Sequence, residues 1–293
     1  MDGSKIRVVT DSTCDLPKGE VDRLGVVVVP LSVSFGPEVF LDGELTHDEF
    51  WEKTKGPFWP KSSQPSVGAF EEVFAPLVEE GYRVLCLTIT SHHSGTYNSA
   101  WAAAQRFGGS VTVVDSLSVS AGLAWQVLAE VEAARKGMAL EDIVTISHDM
   151  ATRTKLFAVL DTIENVRRGG RVDKVMPLLS RLMSAFSLKP ILKMVDGELD
   201  LAATARSYEK ALKRIQEEVV AVAPLEKMAV IHTRLPERAA SFADTLASAT
   251  GVPRGQIPMV EMGPAIATHA GPGVIGAFVL SETAPDGGKA GEA

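Results

Sequence analysis

The amino-acid sequence predicts an α/β protein. An N-terminal three-layer domain with a mainly parallel sheet spans residues 1–155, a C-terminal α+β domain spans 156–284, and a frayed polar tail covers 285–293. Three observations predict this. Short β-branched apolar runs alternate with helical periodicity through the first half. The second half adds a hairpin signal, Asp196-Gly197, between two apolar runs. The 293 residues, 45% of them hydrophobic, suffice for a real core in one large or two small domains.

In the first half, Ile6–Thr10, Val26–Val33, Val84–Thr88 and Val111–Val114 read as buried strands. Thr46-His47-Asp48-Glu49 has the form of a capping box, opening a helix with Phe50 and Trp51. Ser66 caps a helix whose apolar face is Val67, Phe70, Phe74, Leu77 and Val78. A further helix over Tyr97–Phe107 stops at Gly108-Gly109. Leu123, Val127 and Val131 form another apolar stripe, closed by Gly137. In the second half, Leu156–Leu160, Leu188–Met194, Met228–Ile231 and Val274–Leu280 read as strands. Tyr208, Leu212, Ile215, Val219 and Val222 make one helical stripe, and Pro236 opens another helix.

Charge and composition exclude several functions. A net charge of −8 argues against nucleic acid, which relies on Lys and Arg patches. It also argues against permanent attachment to an anionic membrane, leaving at most transient contact. The N-terminus runs into a strand without a signal-peptide core, and no apolar run approaches the roughly 20 residues needed to span a bilayer. Two cysteines, Cys14 and Cys86, in a chain of this size read as reduced thiols, so the expected compartment is the cytoplasm. The six histidines form no i, i+4 pair and no H-E-x-x-H, so neither a metal site nor a cofactor is expected.

Polar clusters sit where strands end. Ser91-His92-His93-Ser94-Gly95-Thr96 follows a strand and precedes a helix, where an open α/β sheet places its binding crevice. The cluster suits an anion; it also suits a helix cap at Ser94 or Thr96. A hydrolase using Ser94 lacks the G-x-S-x-G elbow. In Ser62-Ser63-Gln64-Pro65-Ser66, at a helix entrance, capping accounts for Ser66 and leaves the others unexplained. Thr10-Asp11-Ser12 and Asp115-Ser116 read as caps or as supporting polar groups at the same sheet edge.

Gly271-Pro272-Gly273-Val274-Ile275-Gly276 matches G-x-G-x-x-G formally. A dinucleotide loop needs a preceding strand and a following helix, and here a strand-like run follows. The turn either reverses the chain or lets the backbone approach a ligand beside His269, whose neighbours are all small. Arg167-Arg168-Gly169-Gly170-Arg171 reads by default as a solvated loop. A guanidinium there also suits phosphate or an acidic partner.

Together these segments resemble the DegV family. The matching pieces are Val8-Val9-Thr10-Asp11-Ser12 with Asp15-Leu16-Pro17, Val29-Pro30-Leu31, Ser63-Gln64-Pro65-Ser66, Ser94-Gly95-Thr96-Tyr97-Asn98-Ser99-Ala100 and Val114-Asp115-Ser116. In the second half they are Arg168-Gly169-Gly170-Arg171, Lys189-Pro190-Ile191-Leu192 and His269-Ala270-Gly271-Pro272-Gly273. The likeness runs from about residue 5 to 280, and the order and spacing of the pieces make it specific.

The resemblance implies a two-domain protein that buries a long-chain fatty acid between its domains. The acyl group would be presented to a separate ATP-binding fatty acid kinase subunit that makes acyl phosphate, with no catalysis in this chain. It implies Ser62, Ser94 and His269 on the carboxylate, Ser63, Thr96 and Gly271 in support, and Arg171 at phosphate or the kinase. Phe157, Leu160, Ile163, Met183, Phe186, Leu188 and Ile191 are candidates for an apolar tube or for ordinary core. Three departures stand out: Glu164-Asn165-Val166-Arg167 before Gly169, His93 where the family carries an apolar residue, and Ser62 where it often has Thr. Two other functions stay open. One is an enzyme acting on a small substrate, since the family's fold is similar to that of dihydroxyacetone kinase; the other is a lipid-sequestering protein with no kinase.

Overall fold

The computed structural model describes residues 5–170 and 188–283. The strands are β1 (Ile6–Asp11), β2 (Val27–Val29), β3 (Ser32–Phe35), β4 (Glu38–Leu41), β5 (Pro60–Ser63), β6 (Arg83–Thr88), β7 (Val111–Asp115), β8 (Thr154–Val159), β9 (Lys189–Val195), β10 (Glu198–Ala205), β11 (Leu225–His232), β12 (Met259–Glu261) and β13 (Ile275–Ser281). The helices are α1 (Lys18–Leu24), α2 (His47–Lys53), α3 (Val67–Glu79), α4 (Thr96–Ala104), α5 (Ser120–Arg135), α6 (Leu140–Arg153), α7 (Glu164–Gly169), α8 (Tyr208–Val222), α9 (Pro236–Thr250) and α10 (Pro264–Ala270).

Three sheets organise these elements. A parallel sheet runs β2-β1-β6-β7, a mixed sheet runs β10-β9-β8-β13-β11-β12, and a small antiparallel sheet runs β4-β3-β5. The parallel sheet is covered on both faces. Phe70 and Phe74 of α3 and Ala100 and Ala103 of α4 lie against one face; Leu123 and Val127 of α5 and Ile143 of α6 lie against the other. The predicted α/β architecture is the observed one. The capping box forms, with Thr46 accepting from Glu49 N–H, and Ser66 caps α3 through Ala69 N–H. Asp196 and Gly197 both take positive φ (49° and 77°), as the tight hairpin joining β9 and β10 requires.

The sequence reading needs several corrections. Val26–Val33 is not one strand. Pro30 has no N–H to give a ladder, and the Leu31 N–H is taken by Ser12 Oγ at 3.1 Å. The chain therefore leaves the parallel sheet after Val29 and enters the small one at Ser32. Ser62 and Ser63 end an unforeseen strand, β5, just before the entrance to α3 that Ser66 caps; so polar a strand carries no apolar alternation to reveal it. Residues 167–169 are helical, in α7, rather than a loop. Glu164 accepts from Arg167 Nη2 at 2.8 Å and Arg168 Nε at 2.6 Å, one turn along the exposed face. Arg171, Met183, Phe186 and the tail from 285 lie outside the described residues.

Two-residue periodicity in the mixed sheet decides what faces what. Leu156, Ala158 and Leu160 belong to the cluster facing α5 of the first half. Phe157 and Val159 pack on the other face, under α8 and α9. No helix of the described residues is long and apolar enough to cross a membrane.

Candidate functional site

β5 pairs with β3 so that Ser62 lies opposite Val33, and Lys61 opposite Ser34. Val33 is buried, so Ser62 shares its inward face while Lys61 and Ser63 are exposed. Ser62 Oγ then lies 2.6 Å from Nε2 of His269, in the last turn of α10. When Nε2 carries the ring proton and donates to Ser62, the serine's own O–H is left to donate to a third group. Ser94 reaches the same space from the loop after β6. Its Oγ accepts from Thr96 N–H at 3.2 Å and sits 2.8 Å from Thr96 Oγ1, a turn bond rather than the expected cap, because the N-cap of α4 is Gly95.

Glycines set the close approaches. A Cβ on Gly95 would overlap the Gln64 side chain, so the Ser-Gln-Pro-Ser and Ser-Gly-Thr segments fit one against the other. A Cβ on Gly169 would overlap His269 Nδ1, and one on Gly271 would stand 2.7 Å from Asn165 Oδ1. Thus α7 packs tightly on α10. Asn165 Nδ2 donates to Thr268 O at 3.1 Å, and Thr233 Oγ1 donates to Gly271 O at 2.7 Å.

Two adjoining spaces lie beside these residues. A mouth is lined by Ser62, Gln64, Thr90, His93, Ser94 and His269 together with apolar side chains such as Leu31, Ile89 and Ala265. A second space, the chamber, adjoins it, lined by Leu156, Ala158, Leu160, Leu192, Met194 and Phe278 with other side chains that are apolar apart from Ser120 and His269. Val119, Met194, Leu199, Ile266 and His269 line both.

Ser62, Ser94 and His269 are therefore brought together. Ser63 is not: it stands on the outer face of β5. Thr96 is buried behind Ser94, and Gly271 ends α10 at φ 79°. Of the proposed tube residues, Leu160 lines the chamber, whereas Phe157 and Ile191 face the opposite core. The roof was not read from the sequence. The β9–β10 hairpin folds over the mouth, with Thr90 Oγ1 donating to Gly197 O at 3.2 Å and Leu199 N–H donating to His93 Nε2 at 3.1 Å. The only available signal was polar His93 at a position otherwise apolar.

Three carboxyls stand near one another, Asp11 buried and Asp15 and Asp42 half-buried. Burial pushes Asp11 up to about 6 and Asp15 up to about 7, although hydrogen bonds from Thr13 to Asp11 and from Ser120 to Asp15 act the other way. Asp42 is raised as well, again by burial first.

Fold and site define a class: an α/β protein with a parallel and a mixed sheet, and an apolar chamber reached through a hydroxyl- and histidine-lined mouth. The chain belongs to the DegV family; the family's model, described as an uncharacterised protein, matches residues 5–282. A DegV domain-containing protein of Staphylococcus aureus strain COL is 30% identical over 279 residues, 94% of this chain and 98% of the relative. Two solved structures are similar throughout. One, described as showing fatty acid binding of a DegV family protein from Thermus thermophilus, has a TM-score of 0.85 at 33% identity and covers 94% of this chain and 99% of its own. The other, a stearic acid-binding protein from Eubacterium ventriosum, has a TM-score of 0.83 at 28% identity and covers 94% and 98%.

Proposed function

We propose that this protein binds a long-chain fatty acid, with the tail in the chamber and the carboxylate at Ser62, Ser94 and His269. The observation that carries this reading is that an apolar chamber shares Val119, Met194, Leu199, Ile266 and His269 with a mouth where two hydroxyls and an imidazole converge. Burying about 14 methylenes is worth roughly 11 kcal/mol at about 0.8 per CH₂. Ordering the chain and losing its free motion offset much of that. A buried carboxylate needs donors, and Ser62, Ser94 and His269 are of the types that supply them. The solved relatives described as binding fatty acid or stearic acid support the same ligand class.

The finer reading is that the bound acid is presented to a separate ATP-dependent kinase subunit, which converts it to acyl phosphate, and that this chain performs no catalysis. Arg171 would serve phosphate or the kinase surface. The test has two arms. Protein purified from its source is denatured, and its lipid extract is analysed by mass spectrometry. A stoichiometric fatty acid is expected; an empty extract together with no uptake of added acids would refute the ligand. Addition of ATP and a kinase subunit should then yield acyl phosphate. Absence of that product with a bound acid present would leave a lipid-sequestering protein.

A further inference from the structure

The short turn after β1 bonds the loop that carries Ser94, the chain entering β3 and the start of α10. Asp11 Oδ2 accepts from Ile89 N–H at 2.7 Å, at the start of the loop carrying Ser94. Ser12 Oγ accepts from Leu31 N–H at 3.1 Å, next to β3, the strand against which β5 places Ser62. Asp15 Oδ1 accepts from Gly263 N–H at 3.0 Å, and its Oδ2 accepts from Ser120 Oγ–H at 2.5 Å. Gly263 is the residue from which α10 starts, and α10 ends with His269. Asp42 Oδ1 adds a bond from Ala265 N–H at 3.2 Å.

The Asp15 contact is over-determined. Asp15 and Ser120 both hold positive φ, 52° and 50°, without being glycine. Such backbone costs on the order of 1–3 kcal/mol and persists only where surrounding bonds enforce it. A Cβ on Gly263 would stand 2.9 Å from Asp15 Oδ1, so that position admits little beyond glycine without displacing the carboxyl. Asp15 itself does not line the mouth; Ser120 lines the chamber.

We propose that Asp15 is the positioning residue of the anion-binding mouth: by holding Gly263 and Ser120 together it sets α10, and with it His269, against Ser62. This rests on the reading that the mouth takes a carboxylate. Palmitic acid and cetyl alcohol share a tail and differ in the headgroup, so the ratio of their affinities reads the mouth separately from the chamber.

The experiment measures both dissociation constants for wild type, Asp15→Ala, Asp15→Asn, Gly263→Ala and His269→Ala, with circular dichroism melts to verify folding. Asp15→Ala and Gly263→Ala should each weaken the acid about tenfold or more, roughly 1.4 kcal/mol, and the alcohol less than about twofold. Asp15→Asn keeps an oxygen acceptor for Gly263 N–H and should retain most of the acid preference. Equal weakening of acid and alcohol, or an unchanged ratio in Asp15→Ala, would overturn the proposal. If Asp15→Ala fails to fold, Gly263→Ala decides it by the same criterion. His269→Ala separates the two layers. Should it keep the acid preference, the carboxylate reading falls and this proposal with it; should it lose that preference while Asp15→Ala keeps it, only the positioning role fails.

Discussion

Ser62 and His269 are 207 residues apart in sequence, and their side chains meet at 2.6 Å across the polar mouth. One comes from an edge strand of the small sheet, the other from the last turn of α10. The pair ties the mouth to both halves of the chain, and it governs the first prediction. Ser62→Ala or His269→Ala should each weaken fatty acid binding about 10- to 100-fold, matching roughly 1.5–3 kcal/mol for a hydrogen bond to a charged group. Ser63→Ala, on the outer face, should change it less than about twofold. Displacement of a fluorescent fatty acid measures all three.

The glycine contacts make a second prediction. Gly169→Ala places a methyl group on the His269 ring, so the ring must move or α7 must shift. Weaker acid binding is expected, with a melting temperature lowered by several degrees, as a loss on the order of 1–2 kcal/mol would produce in a chain of this size. Gly108→Ala, with open space around its Cβ but φ at 55°, should lower the melting temperature through backbone strain alone and leave binding intact. Equal binding losses in the two variants would show that the His269 contact is immaterial.

Face selection along β8 predicts which substitutions fill the chamber. Leu160→Trp adds bulk on the chamber side and should reduce affinity for long chains more than for short ones. Phe157→Leu, on the α8 and α9 side, should cost about 1 kcal/mol of stability and leave chain-length preference as it was. A binding series across acids of increasing length distinguishes them.

The buried carboxyls predict a pH dependence of stability. Asp11 and Asp15 have folded-state values raised from 3.8 to about 6 and about 7, so the native state holds protons that the unfolded chain has released. Their contribution is fully present below about pH 4 and is lost as pH rises through 6 and 7. Each group gives a slope of about 1.4 kcal/mol per pH unit inside its window. Asp42, also raised, acts in the same sense. Asp15→Asn should flatten the curve near pH 5–7, as urea denaturation at a series of pH values would reveal. An unchanged slope would place the titration elsewhere.

Much of this was readable before any tertiary contact was known. The buried β-branched runs, the Asp-Gly hairpin, the capping box at Thr46 and the Ser66 cap are local signals, complete within a few residues. The strand ends named the polar clusters, and the family likeness put Ser62, Ser94 and His269 in one group. The small sheet escaped notice because β5 is short and polar, and because β4 lies at an edge with Val39 and Leu41 exposed. The basic run was misread although Glu164 stands at helical spacing from Arg167 and Arg168.

By itself the sequence determined the class of fold, most of its strands and helices outside the small sheet, and which polar residues stood available at strand ends. Local propensity and periodicity act over one or two turns of chain, and those are properties a linear string records. Only the tertiary structure decided that Ser62 faces inward and Ser63 outward, and that Leu160 rather than Phe157 meets the chamber. It alone decided that Asp15 holds the helix carrying His269. Those choices depend on register between strands, where a shift of one position exchanges the two faces, and on contacts spanning up to 248 residues.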